Sequence, residues 1–439
     1  MFEPYLKVLK NRNFMYLWLG QIISQFGDRL TQMAIFGFIY QRFAGHPSAM
    51  ANAKVIFFTL LPVFIVNPVA GVYVDRWGKR RTMYIADLVR ALLIFVMGVF
   101  FLGSEKILPI YIIIFAIFSV GRFFIPARMA IVPSIVDKKD IVMANSLITV
   151  TAMISGVIGF GLGGIIVEWW GPKGGFIVDA VTFFISAVLI WCIRSELSAS
   201  QESGQAELPA DTQNVKKAAG ILREVKEGLK QLRQSDKMIA SFKNMAVLFS
   251  ILGSLYIVFI VFVQSNLSIT TGSVTGTKDV GILAVWISIG LFSGSILYGR
   301  FSHKFSFTSV IYLMLFFASM FLTVFACVVK FAHSAVGACL IAVILGVLIA
   351  PVHIACQSLI HHNADDDVLG RMFSNLEIVM QAGFVACMFL TAFLADVFSP
   401  FTIFILIGIL VFIYSGYCFV NEYRNKSFDD EKELGNVIG

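Results

Sequence analysis

The sequence predicts an all-α membrane protein with twelve transmembrane helices, arranged as two pseudo-symmetric halves of six helices each. Three observations support this fold class: the composition, the length of the apolar runs and an internal duplication. Hydrophobic residues make up 58% of the chain and charged residues 14%, whereas a soluble domain carries about 25% charged residues. The apolar residues fall in separate runs, each near the ~20 residues that a helix needs to cross ~30 Å of hydrocarbon.

Hydropathy and the positions of helix-breaking residues define the individual spans. We expect them at residues 14–42, 50–74, 82–103, 107–134, 141–169, 174–194, 240–266, 280–301, 307–330, 335–361, 372–397 and 401–422. The first run is too long and too interrupted for the apolar core of a signal peptide, so we expect it to stay as an anchored helix.

Lysine and arginine are concentrated in the loops on one side of this predicted bundle. Clusters occur at residues 7–12, 76–81 and 138–139, whereas the opposite side receives few basic residues. Because basic loops stay in the cytoplasm, we expect both termini to be cytoplasmic and the protein to lie in the inner (cytoplasmic) membrane of the cell. The lipid bilayer, rather than nucleic acid, then accounts for the net charge of +7.

One long polar segment divides the chain into two halves. The expected domains are the N-terminal half, a cytoplasmic linker, the C-terminal half and a cytoplasmic tail, at residues 1–195, 196–237, 238–423 and 424–439. Ile221, Val225 and Leu229 share one stripe of a basic helix in the linker. Such a helix is suited to the anionic inner leaflet, and a solvated linker helix is the alternative.

The two halves carry a weak internal repeat. Pro126 in PARMAIVPSIV and Pro351 in PVHIACQSLI lie 225 residues apart, and Gly71 and Gly294 lie 223 residues apart. The agreement of the two offsets indicates two halves related by an axis along the membrane normal, which is an arrangement found in secondary transporters.

The loop GVYVDRWGKRR, between the second and third spans, resembles the loop signature of the major facilitator superfamily, glycine–x–x–x–aspartate–arginine–x–glycine–arginine/lysine–arginine. The matching residues are Gly71, Asp75, Arg76, Gly78, Lys79 and Arg80. PARMAIVPSIV, ANSL, FIVDAVTFFISAVL and VLGRMFS are similar to the macrolide-efflux and enterobactin-exporter branch of drug:proton antiporters. FGDRL, in the first span, is similar to the lysophospholipid transporters of the same superfamily. The resemblance implies secondary transport by alternating access.

We interpret the six matching residues of this loop as part of a conformational latch on the cytoplasmic side. Asp75 is suited to cap the positive end of a helix or to pair with an arginine such as Arg128. Gly370 and Arg371, in VLGRMFS, belong to the same predicted latch. The alternative is a basic loop that acts only as a topological signal.

Three charged residues lie near the middle of predicted spans: Asp28 and Arg29 in the first span, and Arg122 in the fourth. Each costs about 2.5–3.5 kcal/mol on insertion scales, so each calls for a functional or structural reason. The resemblance implies that spans 1, 4, 7 and 10 line the cavity. We expect Asp28 to face Arg122 there as a proton-coupling pair, and a static salt bridge is the alternative.

Asp179 and Glu377 are further candidates for substrate binding or proton coupling. Asp179, in the sixth span, resembles an aspartate that is usual in this branch, and a structural hydrogen bond to a neighbouring helix is the favoured interpretation. Glu377, in the eleventh span, is more simply a satisfied polar contact. Asp87 and Arg90 lie three residues apart in the third span, so we expect a local ion pair between them.

The stretch GFGLGG in the fifth span predicts close helix packing. Gly159, Gly163 and Gly164 match the exporter signature Gly-Pro-x-x-Gly-Gly, and Phe160 stands where that signature has proline. Gly159 and Gly163 lie four residues apart, which lets a neighbouring helix approach closely.

Other chemistries find no support in the sequence. The six cysteines lie inside apolar runs without a CxxC pair, and the adjacent His361 and His362 point different ways on a helix. A GxxxxGK[ST] loop and a catalytic triad are both missing. The sequence therefore predicts a protein that is not an enzyme, with no metal site and no cofactor, and without ATP or nucleic acid as partners.

The predicted function is secondary active transport, with protons as the coupling ion and a small molecule as the substrate. We expect export of a small amphiphilic compound of the drug or siderophore type. The alternatives are a lysophospholipid flippase of the same superfamily, and a sensor or scaffold that derives from a transporter but moves nothing.

Overall fold

The computed structural model describes most of the chain as helix. The described residues are 3–43, 48–67, 70, 73–74, 77–101, 107–194, 236–301, 306–363 and 366–438. Within these ranges, the main stretches whose side chains are not described are 236–242, 360–363, 366–379 and 425–438. Almost all of the predicted linker at 196–237 lies outside the described residues.

The helices of the described part are numbered in chain order. They are α1 (Glu3–Lys10), α2 (Arg12–Arg42), α3 (Ala49–Ile65), α4 (Lys79–Val96), α5 (Leu108–Ile135), α6 (Ile141–Trp191), α7 (Asp236–Thr271), α8 (Thr277–Phe301), α9 (Phe307–Cys327), α10 (Ala335–Asn363), α11 (Asp366–Val397) and α12 (Pro400–Ile438). A π-helical turn follows α4 at Met97–Phe101, and another follows α9 at Val328–Ala332. A short 3₁₀ turn, Lys138–Asp140, precedes α6.

Each of the twelve predicted spans coincides with a helix in the described residues. The fifth and sixth spans are continuous in α6 except at Gly171, where a φ of 69° interrupts the helical backbone. Glycine has no Cβ and adopts this left-handed conformation without steric cost. The second span is described as α3 and a few residues beyond it, and α12 continues through the predicted start of the tail at residue 424.

Length and apolarity qualify nine helices of the described residues as membrane spans. One of them, Lys138–Trp191, contains both the fifth and the sixth span. α3 is apolar but shorter, and α2 is interrupted by polar residues on one side. The helices confirm the predicted all-α membrane class.

The chain divides into two compact units. Unit 1 comprises Met1–Pro47, Lys54–Asn214 and Ser273–Ile282, and unit 2 comprises Ser48–Ala53, Val215–Gly272 and Leu283–Gly439. Each unit therefore includes one short segment from the other half of the sequence.

Glu168 in α6 attaches the segment Ser273–Ile282 within unit 1. Its carboxylate accepts hydrogen bonds from the Ser273 hydroxyl at 2.8 Å and from the Thr275 hydroxyl at 2.6 Å. The backbone N–H groups of Val274 and Thr275 donate to the same carboxylate. One carboxylate thus satisfies four donors just ahead of α8.

Asp396 in α11 caps the start of α3 within unit 2. The backbone N–H groups of Ala49 and Met50 donate to its carboxylate at 2.7 and 3.0 Å, and the Ser48 hydroxyl donates at 3.2 Å. The first N–H groups of a helix have no partner inside the helix, and a carboxylate also complements the positive end of the helix dipole.

Polar contacts tie the chain together at the end of unit 1 where α2 begins. The Lys7 ammonium lies 2.9 Å from an Asp140 carboxylate oxygen, and this hydrogen bond raises the pKa of Lys7. The Arg80 guanidinium donates to the Trp191 carbonyl at 2.7 Å. A buried cluster that includes Phe14 and Ile190 fills the space at this end.

Helices α8 and α10 approach backbone to backbone in unit 2. A Cβ added at Gly346 would lie 2.7 Å from the Leu291 nitrogen and 2.8 Å from the Gly290 Cα, and would overlap the Ile287 carbonyl oxygen. Gly294 lies in similarly close contact with Val347. Such approaches are typical of membrane helices with small residues at the interface.

Candidate functional site

A polar cavity of about 370 Å³ lies within unit 1. Helix α2 lines it with a stripe of polar residues at helical spacing, which are Gln21, Ser24, Gln25, Asp28, Arg29 and Gln32. Residues three, four and seven apart share one face of a helix. One face of α2 is therefore polar, although the helix lies in a membrane span.

The remaining walls of the cavity come from α3, α4, α5 and α6. They supply three further arginines, Arg90, Arg122 and Arg128, and the apolar residues Leu60, Phe118, Phe124 and Ile125. Asp28 is the one carboxylate among the described residues that line the cavity. The site thus combines a single acid, four arginines and an apolar wall.

Asp28 forms an ion pair with Arg90 of α4 through the Arg90 Nη2 atom. The Asp28 side chain is 32% exposed, whereas that of Arg90 is only 7% exposed. The Asp28 carboxylate therefore faces the cavity, and the guanidinium lies behind it. Removing Arg90 would leave the Asp28 carboxylate without its cation, whereas removing Asp28 would leave Arg90 beside Asp87.

Arg90 is held in place by residues behind the cavity. Its Nη1 atom lies 4.0 Å from the Asp87 carboxylate, so the expected local pair of Asp87 and Arg90 is observed. Asp87 is fully buried and accepts a hydrogen bond from the Ser186 hydroxyl at 2.6 Å. The guanidinium carbon of Arg90 also lies 3.9 Å from the centre of the Phe183 ring, which is a favourable cation–π distance.

This arrangement differs from the expected pairing of Asp28 with Arg122. Both residues line the cavity, but the ion-pair partner of Asp28 is Arg90. The physical reason lies in α6, against which both α2 and α4 pack. The long Arg90 side chain crosses the Phe183 ring of α6 and reaches the Asp28 carboxylate.

Arg29 makes two contacts of its own. Its Nη1 atom donates to the Gln32 side-chain oxygen at 3.0 Å, and its guanidinium carbon lies 5.1 Å from the centre of the Phe160 ring. Phe160 stands where the exporter signature has proline, and the ring that replaces the proline lies beside this arginine.

Asp179 lies outside the cavity lining and is fully buried. It accepts hydrogen bonds from the Thr31 hydroxyl of α2 and, at 2.9 Å, from the Thr182 hydroxyl. The bond from Thr31 joins α2 to the second part of α6. Gly27 lies against this pair, because a Cβ at that position would overlap the Asp179 carboxylate.

The glycines of GFGLGG lie against α2 and α8. A Cβ added at Gly159 would lie 2.8 Å from the Arg29 Cβ, and one added at Gly163 would lie 3.2 Å from the Leu30 Cα. A Cβ added at Gly164 would lie 3.3 Å from the Gly281 Cα and would overlap the Thr277 carbonyl oxygen. All three positions are close helix approaches within unit 1.

The predicted latch is described only in part. Gly71, Asp75 and Arg76 lie outside the described residues. Gly370, Arg371 and Glu377 belong to α11, of which only the backbone is described at these positions. Gly78 precedes α4 as its N-cap, Lys79 and Arg80 form its first turn, and Arg128 lines the cavity. The Asp87 carboxylate lies with Ser186 and Arg90 and not with Arg128.

Sequence reasoning missed three residues that the structure makes prominent. It treated Arg90 as a local partner of Asp87, although its position in a predicted span is as costly as that of Arg122. It did not single out Glu168 or Asp396, each of which satisfies several donors next to a helix. The sequence signal that could have identified Glu168 and Asp396 is a carboxylate at the edge of an apolar run.

No group of His, Cys, Asp and Glu residues in the described part could hold a metal ion. The six cysteines are free thiols, and Cys356 is buried.

The membrane helices and the internal polar cavity define the class of a multi-pass membrane transporter. The sequence profile of the Major Facilitator Superfamily matches residues 17–276 and 245–437, and the chain belongs to this superfamily. The predicted fold and the predicted family are both confirmed. The protein is accordingly a transporter and not an enzyme.

Several curated relatives are exporters by name. The putative bacilysin exporter BacE of Bacillus subtilis is 25% identical over 436 residues, which cover 97% of this chain and 98% of that protein. Macrolide efflux protein A of Streptococcus pyogenes is 23% identical over 420 residues, which cover 94% and 96%. The uncharacterised MFS-type transporter YkuC of Bacillus subtilis is 32% identical over 197 residues, and this match spans about half of each protein, 45% of both.

A solved structure supports the fold alone. A POT family transporter in complex with a thioalcohol-conjugated peptide superposes with a TM-score of 0.67 at 12% sequence identity, over 94% of this chain and 96% of that chain.

Proposed function

We propose that this protein exports a small amphiphilic compound across the cytoplasmic membrane in exchange for protons, by alternating access. The observation that carries the proposal is the ion pair between Asp28 and Arg90 at the wall of a polar cavity. An acid that is reachable from the cavity and paired with a buried cation is the group that a proton-coupled carrier needs.

The pair gives a physical route to coupling. Arg90 lies between Asp28 and Asp87 and stays close to Asp87 through its Nη1 atom. A movement of α2 away from α4 would leave Arg90 with Asp87 and separate Asp28 from its cation. A carboxylate that loses a nearby cation in a poorly solvated site takes up a proton more readily. Proton binding at Asp28 would then be linked to the position of α2.

Asp179 has a different role in this proposal. It is fully buried, and the hydroxyls of Thr31 and Thr182 donate to it. It keeps α2 against the second part of α6, so that Asp28 stays at a fixed depth. We propose a positioning role for Asp179 and the proton-binding role for Asp28.

The direction of transport is proposed from two kinds of support. BacE and macrolide efflux protein A are exporters by their names and match nearly the whole chain. The basic residues at the end where α2 begins favour a cytoplasmic location for that end, and an even number of predicted spans then makes both termini cytoplasmic. The latch at residues 71–80 would close this same end.

Flux in proteoliposomes tests the proposal. Vesicles loaded with a pH-sensitive dye would carry the purified protein, and a panel of macrolides, cationic dyes, siderophores and lysophospholipids would be added one by one. We expect at least one member to trigger proton movement with the native protein. Asp28→Asn should abolish this proton movement, whereas Asp137→Asn, at an exposed loop carboxylate that is 69% accessible, should preserve it.

The outcomes separate the candidate functions. Cargo movement without proton movement in the native protein would support transport and reject proton coupling. Movement of lysophospholipids alone would favour the flippase. Binding of a panel member without movement of any would favour the sensor and contradict the proposal.

A further inference from the structure

The cavity of unit 1 carries more positive charge than its own acids neutralise. Among the described residues that line it, four are arginines, Arg29, Arg90, Arg122 and Arg128, and one is a carboxylate, Asp28. Charges in a membrane span are costly, so they are usually paired with an opposite charge or belong to a functional site. The excess of arginine therefore needs an explanation beyond the proton-coupling pair.

Two of the four arginines are already occupied. Arg90 is paired with Asp28 and lies near Asp87. Arg29 donates to Gln32 and lies over the Phe160 ring. Neither is available to a ligand without giving up a present contact.

The other two arginines lie on α5 and remain available. Among the described residues, no carboxylate lies within 4.0 Å of Arg122 or Arg128. The Arg122 Nε atom is buried and has no hydrogen-bond partner in that part of the chain. A buried donor without a partner is unfavourable, and more so when it is charged.

The same wall of the cavity is apolar between and around these arginines. Phe118, Phe124 and Ile125 of α5 line it together with Arg122 and Arg128. The two arginines are six residues apart, or ~9 Å along the helix axis. A cavity of about 370 Å³ is within the range that binds small molecules.

We infer that the cargo carries an oxyanion, a carboxylate or a phosphate, which binds to Arg122 and Arg128 while its apolar part packs against Phe118 and Phe124. The guanidinium fork matches both oxyanions in geometry and charge. This inference rests on the proposed export function and narrows its substrate class to anionic amphiphiles. The oxyanion has two possible sources, a lipid headgroup or a soluble molecule, and both would use the same two arginines.

Binding of matched compounds to the purified protein in nanodiscs tests the inference by calorimetry. The lipid arm uses lysophosphatidylglycerol and the uncharged monoacylglycerol of equal chain length. The soluble arm uses N-acetylphenylalanine, its uncharged amide, and the cationic phenylalanine amide. We expect the anionic member of at least one arm to bind about tenfold more tightly than its uncharged counterpart, and that arm identifies the source.

The variants connect this preference to α5. Arg122→Gln and Arg128→Gln should each reduce the preference for the anion, and the double variant should abolish it. Arg122→Lys, which keeps the charge, should retain part of it. Lys173→Gln removes an exposed charge beside the Gly171 break and should leave the preference unchanged. Retained monodispersity and melting temperature show that each variant is folded.

Two results would overturn the inference. One is equal or tighter binding of the cationic compound, and the other is an anion preference that survives in the double variant. The proteoliposome assay separates this failure from that of the proposed function. Proton-linked export of a cationic drug would preserve the function and reject the anionic cargo, whereas absence of both binding and flux would reject both.

Discussion

Replacing Gly27 by alanine should destabilise unit 1, because α2 and the second part of α6 leave no room for a methyl group. A Cβ at this position would lie 3.1 Å from the Asp179 Cγ atom and would overlap one carboxylate oxygen and the Thr182 hydroxyl. The helices would have to separate at this point, and this separation would also pull the Thr31 hydroxyl of α2 away from Asp179.

The size of the effect follows from these two consequences. Overpacking a close contact costs about 1–3 kcal/mol. Loss of the hydrogen bond from Thr31 leaves the buried Asp179 carboxyl without one of its donors, which costs about 1–3 kcal/mol more. Alanine regains about 1 kcal/mol through its higher helix propensity. The net loss is therefore about 1–5 kcal/mol, or a fall of roughly 2–20 °C in melting temperature for a cooperative unit of about 150–250 residues.

The assay is the thermal loss of the monodisperse peak of the detergent-solubilised protein. Gly156→Ala is the matched control, since its Cβ would lie 3.9 Å from the nearest atom, the Arg29 Nε. The control should melt at or slightly above the native temperature. If Gly27→Ala has the same melting temperature as the native protein while Gly156→Ala behaves as expected, the proposed close approach of the two helices at Asp179 is wrong.

Two further predictions concern unit 2. Gly346→Ala should lower the melting temperature by several degrees, because its Cβ would collide with the backbone of α8. Gly299→Ala should not lower it, since a Cβ added there would meet no atom of the described residues within 4 Å beyond its own stretch of helix. Asp396→Asn should weaken the cap of α3 by about 1 kcal/mol, since it keeps the shape but removes the charge that faces two backbone N–H groups. Faster hydrogen exchange confined to residues 49–52 would show this effect, and unchanged exchange there would refute the capping role.

The transmembrane architecture could be predicted from the sequence because its cause is local. Each span has to be apolar over the thickness of the bilayer, and a single continuous run of residues shows whether this requirement is met. The break at Gly171 was also visible, as the sequence Gly-Pro between two apolar runs. The direction in which the chain leaves Gly171 was not visible, because it depends on tertiary packing.

The partners of the buried charges could not be predicted in the same way. Asp28 and Arg122 stood out as charges in apolar spans, but the choice of Arg90 as the partner of Asp28 depends on how α2 and α4 rotate against α6. That rotation is set by the fit of small residues such as Gly27 and Gly159. The sequence shows where these glycines are, but not which residues of the neighbouring helix pack against them. The position of Arg29 beside Phe160 could not be predicted from the sequence for the same reason.

The most direct test of the central claim is the count of protons that Asp28 exchanges when cargo binds. Purified protein in weakly buffered detergent would be mixed with a cargo found in the flux screen, and the change in pH would be read with a soluble dye. We predict a proton exchange by the native protein and by Asp137→Asn, and none by Asp28→Asn, although that variant still binds the cargo. An equal proton exchange by Asp28→Asn would contradict the account, since the coupling proton would then be carried by another group.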